Sequence, residues 1–362
     1  MNTRSPLKPP TKPVYLKTTG TSTPLGLTTE QTASAVRAGL SAYEESSIYN
    51  KRFNPMTMAL LPEDALPPLN AEISDEMPGL TSRQVRMIRL AHLALDDLSS
   101  KLKTIETLPL FLAGPEKLPG QQEVCYPELI DHISKQSGIV FHEKHSVIFP
   151  NGRAGGLWAL HYAMAYVQAG YSQYAIVGGV DTYLDLYLLG SLDMEDRILA
   201  EGVMDGFAPG EGAGFFIISS QSEPFEQTSQ NITLYPPGLA KEEGHRYSQE
   251  PYRGDGLAEA FSLALDHASN IPPMQTVLTS LNGENFGAKE LGVAATRNSE
   301  RLIPEYIISH SADCFGDIGA AFFPVSVALT ATGFLNDYIK GPVLDYASSE
   351  TDFRAAVCIT KN

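Results

Sequence analysis

Asn151-Gly152-Arg153-Ala154-Gly155-Gly156-Leu157-Trp158-Ala159-Leu160-His161 opens a helical stretch that runs to about residue 168 and is apolar on nearly every side. Its flanks read as strands, residues 145–149 before it and 174–180 after it, the second ending in Gly178-Gly179. A helix lying on a protein surface keeps a polar face. This one has almost none, so the β-α-β unit places its helix inside the molecule, between layers. The fold class is α/β, layered on both sides of that helix.

Toward the N-terminus, residues 14–19 form a strand that ends in the turn Gly20-Thr21-Ser22-Thr23-Pro24-Leu25-Gly26. A helix capped by Thr28-Thr29-Glu30-Gln31 follows, with Ala33, Val36 and Leu40 at helical spacing. Residues 41–80, rich in Pro, Asn and acidic side chains without a sustained period, read as a long surface excursion. Thr81-Ser82 caps a helix with Val85, Ile88, Leu90, Leu93, Ala94 and Leu98 on its apolar face. A buried strand over 108–113 and a helix over 126–136 complete the approach. Toward the C-terminus come a strand at 214–219, a polar linker at 220–250, a helix at 255–268 and strands at 276–281 and 306–309. A helix at 319–331 and strands at 343–347 and 355–359 finish the chain. The two similar orders imply a duplicated architecture: a loose tail over residues 1–13, a first half over 14–225 and a second over 226–362.

Composition narrows the function. The 362 residues carry a formal charge of −16, which disfavours a nucleic-acid or anionic-membrane surface, since phosphate binding needs clustered Lys and Arg. No stretch approaches the roughly 18 uninterrupted apolar residues of a membrane span, and no signal-peptide run follows the N-terminus. A soluble, cytoplasmic protein is expected. Cys125, Cys314 and Cys358 show no metal spacing and no CxxC pair, so reduced thiols are expected, with neither a metal nor a cofactor.

Several segments, in order, resemble the β-ketoacyl synthases and thiolases. The opening strand and turn over 18–26 is similar to theirs, and residues 151–161 look like their nucleophile elbow and buried helix. Val177-Gly178-Gly179-Val180-Asp181 matches the following strand. Met204-Asp205-Gly206-Phe207-Ala208-Pro209-Gly210-Glu211-Gly212-Ala213-Gly214 is the most specific match, and Gly316-Asp317-Ile318-Gly319-Ala320-Ala321 resembles the family's Gly-His-x-Gly-Ala-Ala segment. The resemblance spans nearly the whole chain. It implies the thiolase-like five-layered α/β/α/β/α fold with duplicated halves, whose members dimerise through the N-terminal half.

It also implies which positions should be catalytic, and those have changed. Where the family has a cysteine at the start of the buried helix, its thiolate favoured by the helix dipole, this chain has Arg153. A guanidinium stays protonated and serves neither as nucleophile nor as base. At a helix N-terminus it should have an anion beside it. The second of the family's two histidines falls on Asp317, and the first, by the looser match to Ser280-Leu281-Asn282-Gly283-Glu284-Asn285, on Asn282. An aspartate repels the enolate it would have to stabilise. The Gly-Phe-Gly-Gly loop of synthases is here the acidic Ala347-Ser348-Ser349-Glu350-Thr351-Asp352-Phe353.

Two readings of Arg153 and Asp317 stand side by side: an ion pair plugging the former site, or independent drift after catalysis was lost. Glu284 could serve an altered site with Arg153 binding a carboxylate or phosphate, though a Glu beside a glycine is ordinary turn chemistry. Cys314 is expected at a strand end, away from the helix dipole, and His161 and His310 read as packing or hydrogen-bonding residues. The functional expectation is a catalytically inactive ketosynthase-like protein serving as scaffold, chaperone or adaptor. The resemblance extends to degenerate thiolase-like proteins of type VI secretion gene clusters, which would help deliver an effector. The alternatives are a chain-length-factor-like subunit paired with an active synthase, and an acyl-processing enzyme with altered chemistry. The partner is a protein, with a homodimer as a further possibility, and residues 41–80 and 220–250 are its expected contact loops.

Overall fold

The computed structural model describes residues 7–77, 79–102 and 107–362. In chain order the elements are β1 (Val14–Ser22), α1 (Thr29–Arg37), β2 (Glu44–Tyr49), β3 (Pro55–Met58), α2 (Ala71–Glu76), α3 (Ser82–Ser100), β4 (Leu110–Ala113) and α4 (Leu129–Ser137). Then come β5 (Val147–Phe149), α5 (Gly155–Gln168), β6 (Tyr174–Thr182), α6 (Leu186–Met194), β7 (Glu211–Ser219), β8 (Ile232–Leu234), β9 (Gly238–Lys241) and α7 (Asp255–His267). The last are β10 (Met274–Thr279), α8 (Asn285–Arg297), β11 (Leu302–His310), α9 (Ala312–Phe315), α10 (Phe322–Leu335), β12 (Val343–Ser348) and β13 (Phe353–Lys361).

The main sheet runs β11-β10-β12-β13-β8-β1-β7-β6-β4-β5, with β9 paired to β13. Each half repeats one pattern. Strands β5, β4 and β6 are parallel, then β7 and β1 antiparallel. Strands β11, β10 and β12 are likewise parallel, then β13 and its neighbours antiparallel. The apolar helices α5 and α10 occupy corresponding places, and both are buried in the core between the halves of the sheet, with Leu160, Met164, Phe323 and Val327 among its members. Helices α3 and α4 cover one outer face and α7 and α8 the other, each over its own core. The result is the five-layered α/β/α/β/α arrangement. The Thr81 side chain and Gln84 close a reciprocal capping box at the start of α3, so that the apolar face begins in register.

Close backbone approach fixes the inner layer. A Cβ on Gly214 of β7 would lie 2.8 Å from the Val325 amide nitrogen and 2.9 Å from Pro324 Cβ, so α10 rests directly on a strand that only glycine permits.

Four expectations need correction. Residues 41–80 hold the β2–β3 hairpin and α2. Ile48, Met56 and Met58 pack with Leu188, Leu189 and Phe207, while Leu61, Leu66 and Ile73 enter the core beneath α3. The hairpin is polar in sequence because only one of its faces is covered, and replacing the segment with a linker would open two cores. Residues 220–250 are not a mere linker either, since β8 joins β1 to β13 and carries the sheet from one half to the other. Helices α6 and α8 were not legible from the pattern. Cys314 lies within the short helix α9, not at a strand end. Of the expected tail, residues 1–6 lie outside the described residues, whereas 7–13 are held: the Gln168 side chain accepts from the Thr11 and Lys12 amides, and Leu7 packs on the core. Among the described residues no helix is long and apolar enough to cross a membrane.

Two consequences can be measured. Gly214→Val should cost about 1–3 kcal/mol or more, because the atoms it meets include backbone; an unchanged urea midpoint would contradict the close approach. Asp345 on β12 is fully buried, with no cation paired to it among the described residues and only the Ser326 hydroxyl to favour its charged form. Burial raises its pKa well above the ordinary carboxylate value. A raised acid contributes most below its unfolded pKa of about 3.9 and loses that contribution as pH rises toward its folded value. Asp345→Asn should therefore stabilise the protein progressively more from pH 4 to pH 8, relative to the parent, in urea titrations at each pH.

Candidate functional site

The segments quoted above meet in space. Strand β5 ends at Phe149, whose carbonyl accepts from the Gly114 and Asn151 amides, and a 3₁₀ turn over Gly152–Ala154 then leads into α5. Arg153 is thereby delivered, buried, at the start of the interior helix. The run through Ala208 and Gly210 pairs with the other critical segment: the Asp317 amide donates to the Ala208 carbonyl and the Gly210 amide to the Asp317 carbonyl, both at 2.9 Å. Gly319, at φ 52°, leaves room for Asp181, whose Oδ2 would be 2.1 Å from any Cβ there and which accepts from the Ala320 amide. Each glycine-rich motif thus holds a charged side chain or its neighbour in place.

The Arg153 Nε donates to Asp317 at 2.9 and 3.1 Å, and its Nη2 makes a shorter contact with the same carboxylate. Its Nη1 donates to Glu350 at 2.8 Å. Glu350 also accepts from Arg197 Nη2 at 2.9 Å, and Arg197 grips Glu284 through Nε and Nη2, both at 2.7 Å. Arg246, the most open member, lies 3.0 Å from Glu284 and 3.2 Å from Glu350. The Asn282 amide nitrogen ties the set together, donating to Glu284 at 3.1 Å and to Asp317 at 3.0 Å. Three arginines face three carboxylates, and the formal charge is balanced.

Electrostatics follow from this packing. Burial by itself would lower the Arg153 pKa, but Asp317, Tyr183 and Glu350 together hold it well above the ordinary guanidinium value. Burial would likewise raise Glu350, yet Arg197 and Arg153 outweigh it and keep that carboxyl far below its usual range. Glu116 is the counter-case. It accepts from the Glu350 and Thr351 amides and the Thr351 hydroxyl, but burial and the neighbouring Glu350 charge leave its pKa raised. A fourth carboxyl at this place is pushed toward its neutral form.

Space is equally restricted. Two voids of about 30 Å³ flank Arg153, one toward Arg246 and Asn282 and one toward Arg83 and Glu116. Each has room for no more than a water or two. The first free amide of the interior helix is occupied as well, since the Ala154 N–H donates to Ser349 Oγ at 3.0 Å. Glu284 is enclosed by two arginines and Asn282, which leaves it no open lone pair with which to act as a base. Burial first, then Asp313, raises the Cys314 thiol pKa, which opposes thiolate formation. His310 shares a 3.0 Å hydrogen bond with Thr279, and His161 sits on α5 with its pKa lowered by burial. Glu76, Asp131 and His132 converge within 4.8 Å, but Lys135 pairs with both acids.

Arg153, Asn282, Glu284 and Asp317, singled out from sequence, are all in one cluster. Sequence reasoning missed Arg197, Arg246 and the central role of Glu350. Glu350 lay inside a segment already noted as acidic, while Arg197 and Arg246 sit between motifs and offered no signal of their own.

Comparison with known proteins agrees with the architecture. The family description of the β-ketoacyl synthase N-terminal domain matches residues 152–223. No curated protein matches the sequence. Among solved structures, the ketosynthase ApeO in complex with its chain length factor ApeC, from Xenorhabdus doucetiae, superposes with a TM-score of 0.74 at 14% identity, covering 96% of this chain and 98% of that one. The ishigamide ketosynthase/chain length factor gives 0.66 at 16%, covering 96% and 99%. A β-ketoacyl synthase from Burkholderia phymatum STM815 gives 0.67 at 16%, covering 97% and 100%. The chain has the thiolase-like ketosynthase fold, and at these identities the likeness is one of fold.

Removing one partner of a buried pair strands the other charge at about 3–5 kcal/mol, whereas replacing both with apolar groups is often near neutral. Arg153→Met and Asp317→Leu should each destabilise strongly, and the double variant should lose clearly less than their sum. Additive losses in a double-mutant cycle would mean that the two side chains do not act as a pair.

Proposed function

We propose that this chain is a non-catalytic subunit with a ketosynthase fold, acting through association with another protein. The observation that carries this reading is the charge-balanced cluster around Arg153, Asp317 and Glu350; by the sequence resemblance, Arg153 and Asp317 stand at positions where a condensing enzyme would need a thiolate and an imidazole donor. No group in the cluster is free to attack a thioester, and its small voids leave no room for an acyl chain.

Of the possible partners, a cysteine-bearing synthase is favoured. The structural matches include a ketosynthase in complex with its chain length factor. The edge strand β5 offers a surface for such pairing: one side is bonded to β4 and the other has no strand partner among the described residues, with Val147 exposed, as is Tyr162 of α5, whose ring packs near Phe149 at the strand's end. Exposed edges of this kind invite strand addition. A second reading, a scaffold or adaptor that delivers an effector within type VI secretion, is supported by the same closed site, since a chain-length factor would be expected to keep an acyl tunnel.

Incubation with acyl-coenzyme A followed by intact-mass measurement should show no acyl adduct, and one acyl mass on this chain would overturn the non-catalytic reading. Affinity purification from the native cell should recover a cysteine-bearing synthase, with Val147→Lys reducing recovery at least tenfold. Recovery of a secreted effector in its place would select the second reading.

A further inference from the structure

The β2–β3 hairpin and the loop after α6 bury one apolar face and expose another. Underneath, Ile48, Met56 and Met58 meet Leu188, Leu192 and Phe207. On the outside, Tyr49, Phe53, Met194 and Met204 are 61%, 86%, 70% and 98% exposed. They belong to one surface. The Lys51 ammonium donates to the Met194 carbonyl, Arg52 pairs with Asp196, and Asn54 donates to the Glu201 carbonyl, so the Phe53 turn is held against the end of α6, which carries Met194, and the loop after it, which carries Met204.

Phe53 is held there against its own backbone preference. Its φ is 63°, in the left-handed region that a bulky aromatic rarely adopts. The buried Asn50 enforces the turn: its side-chain oxygen accepts from the Arg52 and Asn54 amides, and its carbonyl from the Phe53 amide. Asp196, facing Arg52, is also left-handed at φ 57°. An over-determined turn that presents an aromatic ring to water gains nothing from packing, and such strain gathers where a surface is used. Methionines beside it supply a soft contact that adapts to its occupant.

The charge around this patch narrows the occupant. Lys51 and Arg52 share the carboxylate of Asp196, whereas Glu201 and Asp205 at the rim have no ion-pair partner among the described residues, Asp205 accepting only from the Asn285 amide, so that three carboxylates stand against two cations. We propose that this surface docks a basic amphipathic helix of a partner protein, with apolar side chains on Phe53, Met194 and Met204 and Lys or Arg against the acidic rim. It is carried by elements other than β5, so it holds whether or not the chain pairs with a synthase.

A fluorescein-labelled 18-residue helix of Leu and Lys, and a matched helix of Leu and Glu, test this by anisotropy on the full chain. The Lys peptide should bind at micromolar concentration and weaken at least tenfold in the Phe53→Gly, Met204→Ser variant. Glycine suits the left-handed turn, so the melting temperature of that variant should not fall, which separates lost docking from lost folding. Equal binding of the Glu peptide, or undiminished binding by the variant, overturns the proposal. So does a shift from dimer to monomer in the variant by sedimentation, which would make the patch an interface between copies.

Discussion

A guanidinium cannot be left unmatched in a protein interior, and Arg153 is inside. Much of the site follows from that constraint. Asp317 and Glu350 neutralise Arg153, but their two charges exceed its one. Arg197 enters to share Glu350 and brings Glu284 with it, Arg246 closes the balance at the surface, and Asn282 fills the gap between Glu284 and Asp317. Glu116, one carboxyl more than the arginines can match, has its pKa raised. A cluster so interdependent does not tolerate piecemeal change, since each side chain satisfies two others.

The sequence carried the layered fold well because its signals were physical and local. An interior helix must be apolar all round, as residues 157–167 are, and close backbone contacts demand glycine, as at Gly179 and Gly214. What escaped notice depended on partners distant in sequence. The hairpin strand Glu44–Tyr49 is polar because one face is wet, so its burial against α6 is invisible without α6. Strand β8 is three residues long, too short for periodicity, yet it is the seam of the sheet. The site was legible where a motif marked a position, as for Arg153 and Asp317. It was opaque where a lone arginine such as Arg197 or Arg246 owed its role wholly to tertiary placement.

The pairs also cross the duplication. Arg153 and Arg197 come from the first half, and Asp317, Glu284 and Glu350 from the second. Buried ion pairs contribute little compared with well-packed apolar groups, but separating their members is costly. Their effect is therefore on position more than on total stability: sliding one half against the other would split several pairs at once. An apolar filling of the same volume would lubricate that motion, while the charged cluster opposes it. A cleft that must admit a substrate needs the opposite property, with room to open and groups free to react. On the function proposed above, the place between the halves acts as a joint, and the two surfaces proposed for recognition, the edge at β5 and the hairpin face that presents Phe53, are ones that such a joint would hold steady.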